Sequence, residues 1–193
     1  MFKEGKTVSP EVQKDAEWAG HIQHYYEQKP GMVVAAALSR NVGVSHRKPP
    51  FLVGCSMMAY GSETGAGEYH LEFGWNETRL PAEQRGERKS IEKRCAERQA
   101  MEKIFEHKAP TVVAIVTVSK ETHTGDPMKS HEALHPCREC RDMYRELLAK
   151  GIVRSGTIIC SVNNAEPRKG KYPEEEMTMD ELLKLYHDDE SIQ

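Results

Sequence analysis

Cys95-Ala96-Glu97 and, further along, Pro136-Cys137-Arg138-Glu139-Cys140 are the residues of this chain whose types and spacing could do chemistry. Three thiols and one carboxylate in that order can build a zinc site. A structural zinc site fills all four positions with protein ligands, whereas a catalytic one keeps a position open for water. Cys95, Cys137 and Cys140 supply three sulfurs and leave one position open. Glu97 sits two residues from the first ligand, close enough to handle the protons of a water held there. One Zn²⁺ per chain is the expected cofactor, and Glu97 the expected catalytic residue.

The spacing has physical consequences. Cys137 and Cys140 are three apart, so on a helical turn their sulfurs face the same way. Pro136 fixes the approach to that turn at little cost, because the first helical amides lack carbonyl partners anyway. Helix N-termini also lower thiol pKa values, which favours the thiolates a metal requires. Three thiolates on Zn²⁺ leave the cluster at −1, a charge that makes a bound water less acidic. Positive compensation is therefore expected. Arg98, just after the Glu, and Arg141, just after the last Cys, are the candidates.

These residues need elements to position them. Ser9-Pro10-Glu11 reads as an N-cap followed by Pro at the first helical position, opening a helix to about Gln28 that Lys29-Pro30-Gly31 ends. Residues 1–30 thus read as a helical extension ahead of one catalytic domain, 31–193. Met32–Val44 is predicted as a second, buried helix. Phe51–Tyr60 and Glu68–Trp75 are predicted as paired strands. A helix is predicted from about Glu87 to His107, with a later start near Ser90 or Arg94 if Cys95 is a ligand. Thr111–Ser119 is a β-branched strand. Cys137–Lys150 is a helix closed by Gly151, Ser155–Val162 a strand, and Thr178–His187 a helix with Thr178 and Glu181 at capping-box spacing. Glu174–Glu176 reads as a solvated loop. Alternation of this kind implies an α/β fold with a partly parallel sheet.

Composition bounds the function. The chain has 193 residues, enough for one sizeable core, and a net charge of −3. That balance argues against a polynucleotide as partner. The run of Arg85, Arg88, Lys89, Lys93 and Arg94 reads as the solvated start of a helix. The apolar runs are far short of the ~20 residues that span a bilayer. The start carries no signal-like segment, so a cytoplasmic, reducing location is the expectation. Five cysteines in such a compartment suggest metal binding over disulfides. Cys55 and Cys160 read as inert core thiols, and His21 and His24 as surface residues. His135, beside the ligand turn, reads as a loop residue, with substrate contact as the alternative. Phe73 and Trp75 are candidates for either pocket lining or packing.

The motifs resemble those of the cytidine deaminase family. Cys95-Ala96-Glu97-Arg98 is similar to its Cys-Ala-Glu-Arg, and Pro136-Cys137-x-x-Cys140-Arg141 to its Pro-Cys-x-x-Cys-Arg. Phe51-Leu52-Val53-Gly54 resembles its Phe-x-Val-Gly strand, and Met179-Asp180-Glu181-Leu182-Leu183 its C-terminal Glu-Leu-Leu segment. The likeness implies an α/β/α three-layer sandwich with a mixed sheet. It implies zinc-dependent deamination of cytidine, deoxycytidine or a related cytosine nucleoside, a place in pyrimidine salvage, and a homotetramer. It implies substrate contacts from Phe51, Asn76, Glu77 and Ala96, and an Arg98 that offsets thiolate charge. The family's ribose-gripping Gly-x-Asn-x-Glu-Asn reads here Gly74-Trp75-Asn76-Glu77-Thr78, with the carboxylate one place early. A modified cytosine nucleoside, a nucleotide, or an antibiotic such as blasticidin S is equally compatible with that change. The rival class is a noncatalytic zinc-binding module, for which Glu97 would be dispensable.

Overall fold

The computed structural model describes residues 10–42, 51–61, 67–79, 92–121, 135–163 and 174–187; the side chains of 10–13, 51, 77–79, 92–94 and 120–121 are outside the description. Helix α1 spans Pro10–Ser39. Strands β1 (Phe51–Gly61), β2 (Glu68–Trp75), β3 (Glu77–Arg79) and β4 (Glu92–Arg94) follow. Then come α2 (Ala96–Ile104), β5 (Thr111–Glu121), α3 (Arg138–Ala149), β6 (Val153–Asn163), β7 (Glu174–Thr178) and α4 (Met179–Leu185).

Five strands form one sheet in the order β2-β1-β5-β6-β7, and β3 pairs with β4 separately. β5 and β6 run parallel, joined through α3, while the other neighbours are antiparallel. The sheet is therefore mixed, as predicted. Its apolar side chains feed two cores. One holds Tyr25, Met32 and Ala36 of α1 with Met58, Val116, Ile158 and Val162. The other holds Ala100 and Ile104 of α2, Tyr144 and Leu147 of α3, and Met179 and Leu182 of α4, with Cys55, Met57, Ile115 and Ile159. Alternate strand residues face opposite sides, so 158 and 159, or 57 and 58, divide between the cores.

The first helix departs from expectation. It does not end at Lys29-Pro30-Gly31 but runs through Pro30, crossing the boundary expected at residue 30. Trp18, Ile22, Tyr25, Met32 and Ala36 lie along one stripe at helical spacing, and all belong to the same core. Burial of that continuous stripe outweighs the helix-breaking tendency of one proline. Gly54 lets α1 approach closely, because a Cβ there would collide with the carbonyl oxygen of Ala36.

Helix α2 starts at Ala96, well after Glu87 and close to the Arg94 start expected if Cys95 is a ligand, and residues 92–94 form β4. Glu174–Glu176, expected as a solvated loop, opens the edge strand β7. Lys29 Nζ lies 2.5 Å from Glu174 Oε1 and 2.6 Å from Glu176 Oε2, while Tyr25 and Tyr26 donate to Glu176 at 2.9 and 2.7 Å. His21 is not a plain surface residue either. It bonds the Tyr69 hydroxyl at 2.8 Å and packs against Trp18 and Tyr60, and His24 stacks on Tyr69 at 3.9 Å. The capping box of α4 is present, with Thr178 accepting from the Glu181 amide. Among the described residues no helix is long and apolar enough to cross a membrane.

Candidate metal centre

Two helix N-termini converge on the three thiols. Cys95 is the N-cap of α2 and Cys137 the N-cap of α3, with Cys140 in the first turn of α3. An N-cap residue faces the amides of the first turn, which have no carbonyl partners of their own. The Sγ atoms of Cys95 and Cys137 are 3.4 Å apart, and all three sulfurs lie within 4.8 Å of one another. Sulfurs on one tetrahedral Zn²⁺, each at ~2.3 Å, are separated by roughly 3.8 Å. The donor set fits a metal ion. Thiolates of this kind also suit Cu(I) or iron, so the cluster defines a soft-metal site without naming the metal. Among the described residues no fourth His, Cys, Asp or Glu joins this cluster.

The thiols are not equivalent. Hydrogen bonds from Cys140 and Cys95, with the amides of Cys140 and Glu139, hold the Cys137 thiol far below its ordinary value of 9.0. Donation to Cys137 pushes Cys95 up to about 12 and Cys140 higher. Cys137 stands at the start of α3, where the helix dipole favours a thiolate.

Glu97 occupies the first turn of α2 and is buried, at 7 % exposure. Burial pushes its carboxyl up to about 7, against the lowering by hydrogen bonds from its own backbone amide and Cys140. A carboxyl poised near neutrality suits proton transfer in both directions. Ala96 is fully buried beside it. A Cβ on Gly74 would collide with the Ala96 carbonyl oxygen, so the glycine is what lets β2 lie against the start of α2.

The other expected site residues fall as follows. Asn76 follows β2 and is tied to β1, its Oδ1 accepting from the Val53 amide at 2.9 Å and its amide donating to the Val53 carbonyl at 3.0 Å. Glu77 opens β3 and pairs with Arg94, the residue before Cys95. Phe51 opens β1 opposite Glu121. The side chains of Phe51 and Glu77 lie outside the described ones, as do those of Arg85, Arg88, Lys89, Lys93 and Arg94. Arg141 donates to the Pro136 carbonyl at 2.8 Å and lies over the Tyr186 ring at 3.9 Å, so it is fixed at the ligand turn. Arg98 is exposed. Phe73 and Trp75 are half-buried beside Lys103, which donates to the Phe73 carbonyl and lies 5.4 Å from the Trp75 ring.

Three features escaped the sequence. His135 is no ordinary loop residue: its Nδ1 pairs with the Tyr186 hydroxyl at 2.7 Å and its Nε2 with Glu175 at 2.7 Å. Tyr144, four residues after Cys140, is fully buried with a hydroxyl that has no hydrogen-bond partner among the described residues. Adjacency to the motif was the only available signal for both. The third is a second group of soft and acidic donors, Cys160, Glu174 and Glu176, held together by pairing across β6 and β7. The Lys29 ammonium already bridges its two carboxylates. Cys55 and Cys160 are buried as expected, and burial raises both thiols, Cys160 to about 12. Comparison with protein-family models, curated proteins and solved structures finds no match.

Proposed function

We propose that the chain is a zinc-dependent deaminase of a cytosine nucleoside, related to the cytidine deaminases. The observation that carries this reading is the buried Glu97 on the same helix start as one of three converging thiols, with no fourth protein ligand among the described residues. A structural site would take a fourth ligand and would have no use for a buried carboxyl at its edge. Helix α1 on one sheet face and α2 to α4 on the other support the α/β/α sandwich that the resemblance implies.

Cys95, Cys137 and Cys140 would hold the Zn²⁺. Bound there, the ion would supply the Lewis acidity that makes a water nucleophilic at neutral pH. Glu97 is the proton carrier. It would accept a proton from the attacking water and pass it to the ring nitrogen, then take the second proton from the hydroxyl now on the ring carbon and pass it to the amine as the C–N bond breaks. The balance is one cytosine amine plus water giving a uracil carbonyl and ammonia. Arg141, fixed at the ligand turn, contributes positive charge beside the thiolates. Asn76, tied to β1, and Glu77, paired with Arg94, would make the sugar contacts that the resemblance implies. A homotetramer belongs to the same reading, and light scattering of the purified protein tests it.

The test is ammonia release by zinc-loaded protein on cytidine, deoxycytidine, CMP, cytosine, adenosine and blasticidin S. Turnover of a cytosine nucleoside is the expected result. Glu97→Ala should keep stoichiometric zinc and lose roughly 10²- to 10⁴-fold or more in rate. Full zinc occupancy with silence on the whole panel would point first to a specialised nucleoside substrate and second to the noncatalytic class.

A further inference from the structure

The residues before Cys137 are held from both sides by the C-terminal part of the chain. His135 sits between two partners, the Tyr186 hydroxyl on Nδ1 at 2.7 Å and the Glu175 carboxylate on Nε2 at 2.7 Å. A neutral ring that donates Nε2–H to the carboxylate accepts the hydroxyl proton at Nδ1, so both contacts are satisfied at once. The next residue is gripped too. Arg141 Nη1 donates to the Pro136 carbonyl at 2.8 Å. The same guanidinium lies 3.9 Å from the centre of the Tyr186 ring, a cation–π contact.

Tyr186 therefore closes a loop of contacts. Its hydroxyl holds His135, its ring face holds Arg141, and Arg141 holds Pro136. The anchor itself is firm. Tyr186 is the C-cap of α4, whose N-terminus carries the full capping box and whose Met179 and Leu182 are buried in the core shared with α2 and α3. Glu175 stands on β7, immediately ahead of that helix. All these contacts converge on the two residues that lead into Cys137. That thiol is itself exposed at the N-cap of α3.

We infer that Tyr186 is a positioning residue of the metal centre. Through His135 and Arg141 it sets the place of the Cys137 sulfur relative to Cys95 and Cys140. This rests on the three thiols binding a metal, but not on the reaction that the metal serves. Groups that orient metal ligands from outside the donor set typically change metal affinity by roughly 10- to 100-fold when removed.

The experiment titrates Co²⁺ into the purified, metal-free full chain, following the thiolate-to-cobalt charge-transfer and d–d bands, with affinity measured against a competing chelator. Tyr186→Phe keeps the ring over Arg141 and loses the bond to His135. Tyr186→Ala loses both, and Leu185→Ala, at an exposed neighbour, is the control. Tyr186→Ala should bind Co²⁺ roughly 10- to 100-fold more weakly, with shifted d–d bands, and Tyr186→Phe should fall between it and the wild type. The control should match the wild type. A folded Tyr186→Ala, or a Tyr186→Phe where Ala does not fold, with wild-type affinity and an unshifted spectrum would overturn the inference. Ammonia release by the zinc-loaded wild type is scored separately. Tight metal binding without turnover of the panel counts against the cytosine-nucleoside reading and leaves the Tyr186 result standing.

Discussion

At the scale of single residues, the site depends as much on an absent side chain as on those present. Gly74 lies against backbone atoms of α2. A Cβ there would collide with the Ala96 carbonyl, and it would stand 2.8 Å from the Ala100 amide. Backbone cannot rotate away as a flexible side chain does. Gly74→Ala must therefore push the first turn of α2 outward, and with it Cys95 and Glu97. We expect a loss of about 1–3 kcal/mol in stability and a measurable fall in metal content after dialysis. Metal content equal to wild type at a lowered melting temperature would separate the two effects and place the strain elsewhere. The donors themselves could be found from spacing alone, because three thiols and a carboxylate within short motifs imply their own chemistry. The reason for Gly74 could not, since it lies in the meeting of two elements distant in sequence. The position of Cys95 as an N-cap was hidden for a similar reason. The polar residues ahead of it carry no periodicity that separates a helix start from the short ladder of β3 and β4.

At the scale of elements, α1 shows how tertiary packing overrides a local signal. Pro30 sits inside a 30-residue helix and is exposed. Proline in a helix interior removes one backbone bond and costs about 3 kcal/mol relative to alanine. Its restriction of the unfolded chain offsets about 0.4–1 kcal/mol of that. Pro30→Ala should accordingly raise stability by about 1–3 kcal/mol, read as a higher urea midpoint with an unchanged slope. A lowered midpoint would mean that the proline fixes a bend which the packing of α1 needs. The strands of the central sheet were readable because β-branched and apolar runs such as Thr111–Ser119 have one sensible structure. The edge strand β7 was not. Its Glu174-Glu175-Glu176 run looks solvated in isolation, and it is a strand because it pairs with β6, with Lys29, Tyr25, Tyr26 and His135 arriving from elsewhere to bond its carboxylates.

At the scale of the whole molecule, the contact between α1 and β7 ties the first described helix to the last strand of the sheet. Lys29 bridges Glu174 and Glu176, and both tyrosines donate to Glu176. Burial alone would raise the Glu176 carboxyl, but the bonds from Lys29, Tyr26 and Tyr25 win and hold it below the ordinary 4.5. The same carboxylates hold the Lys29 ammonium above its ordinary 10.5, against the effect of burial, so it stays charged throughout the acid range. A carboxyl that is more acidic when folded binds fewer protons in the native state than in the unfolded one. Its contribution is then complete above pH 4.5 and is lost as pH falls through the lower folded value. Glu176→Gln removes that dependence. At neutral pH the variant should be weaker by on the order of 1 kcal/mol, since the pair is partly screened by solvent and Glu174 remains on Lys29. Between pH 5 and pH 3 the gap to the wild type should close, because protonation takes from the wild type the charge that the variant already lacks. Urea midpoints of the two proteins across that window measure it. A gap that stays constant down to pH 3 would show that Glu176 contributes through packing and not through its charge.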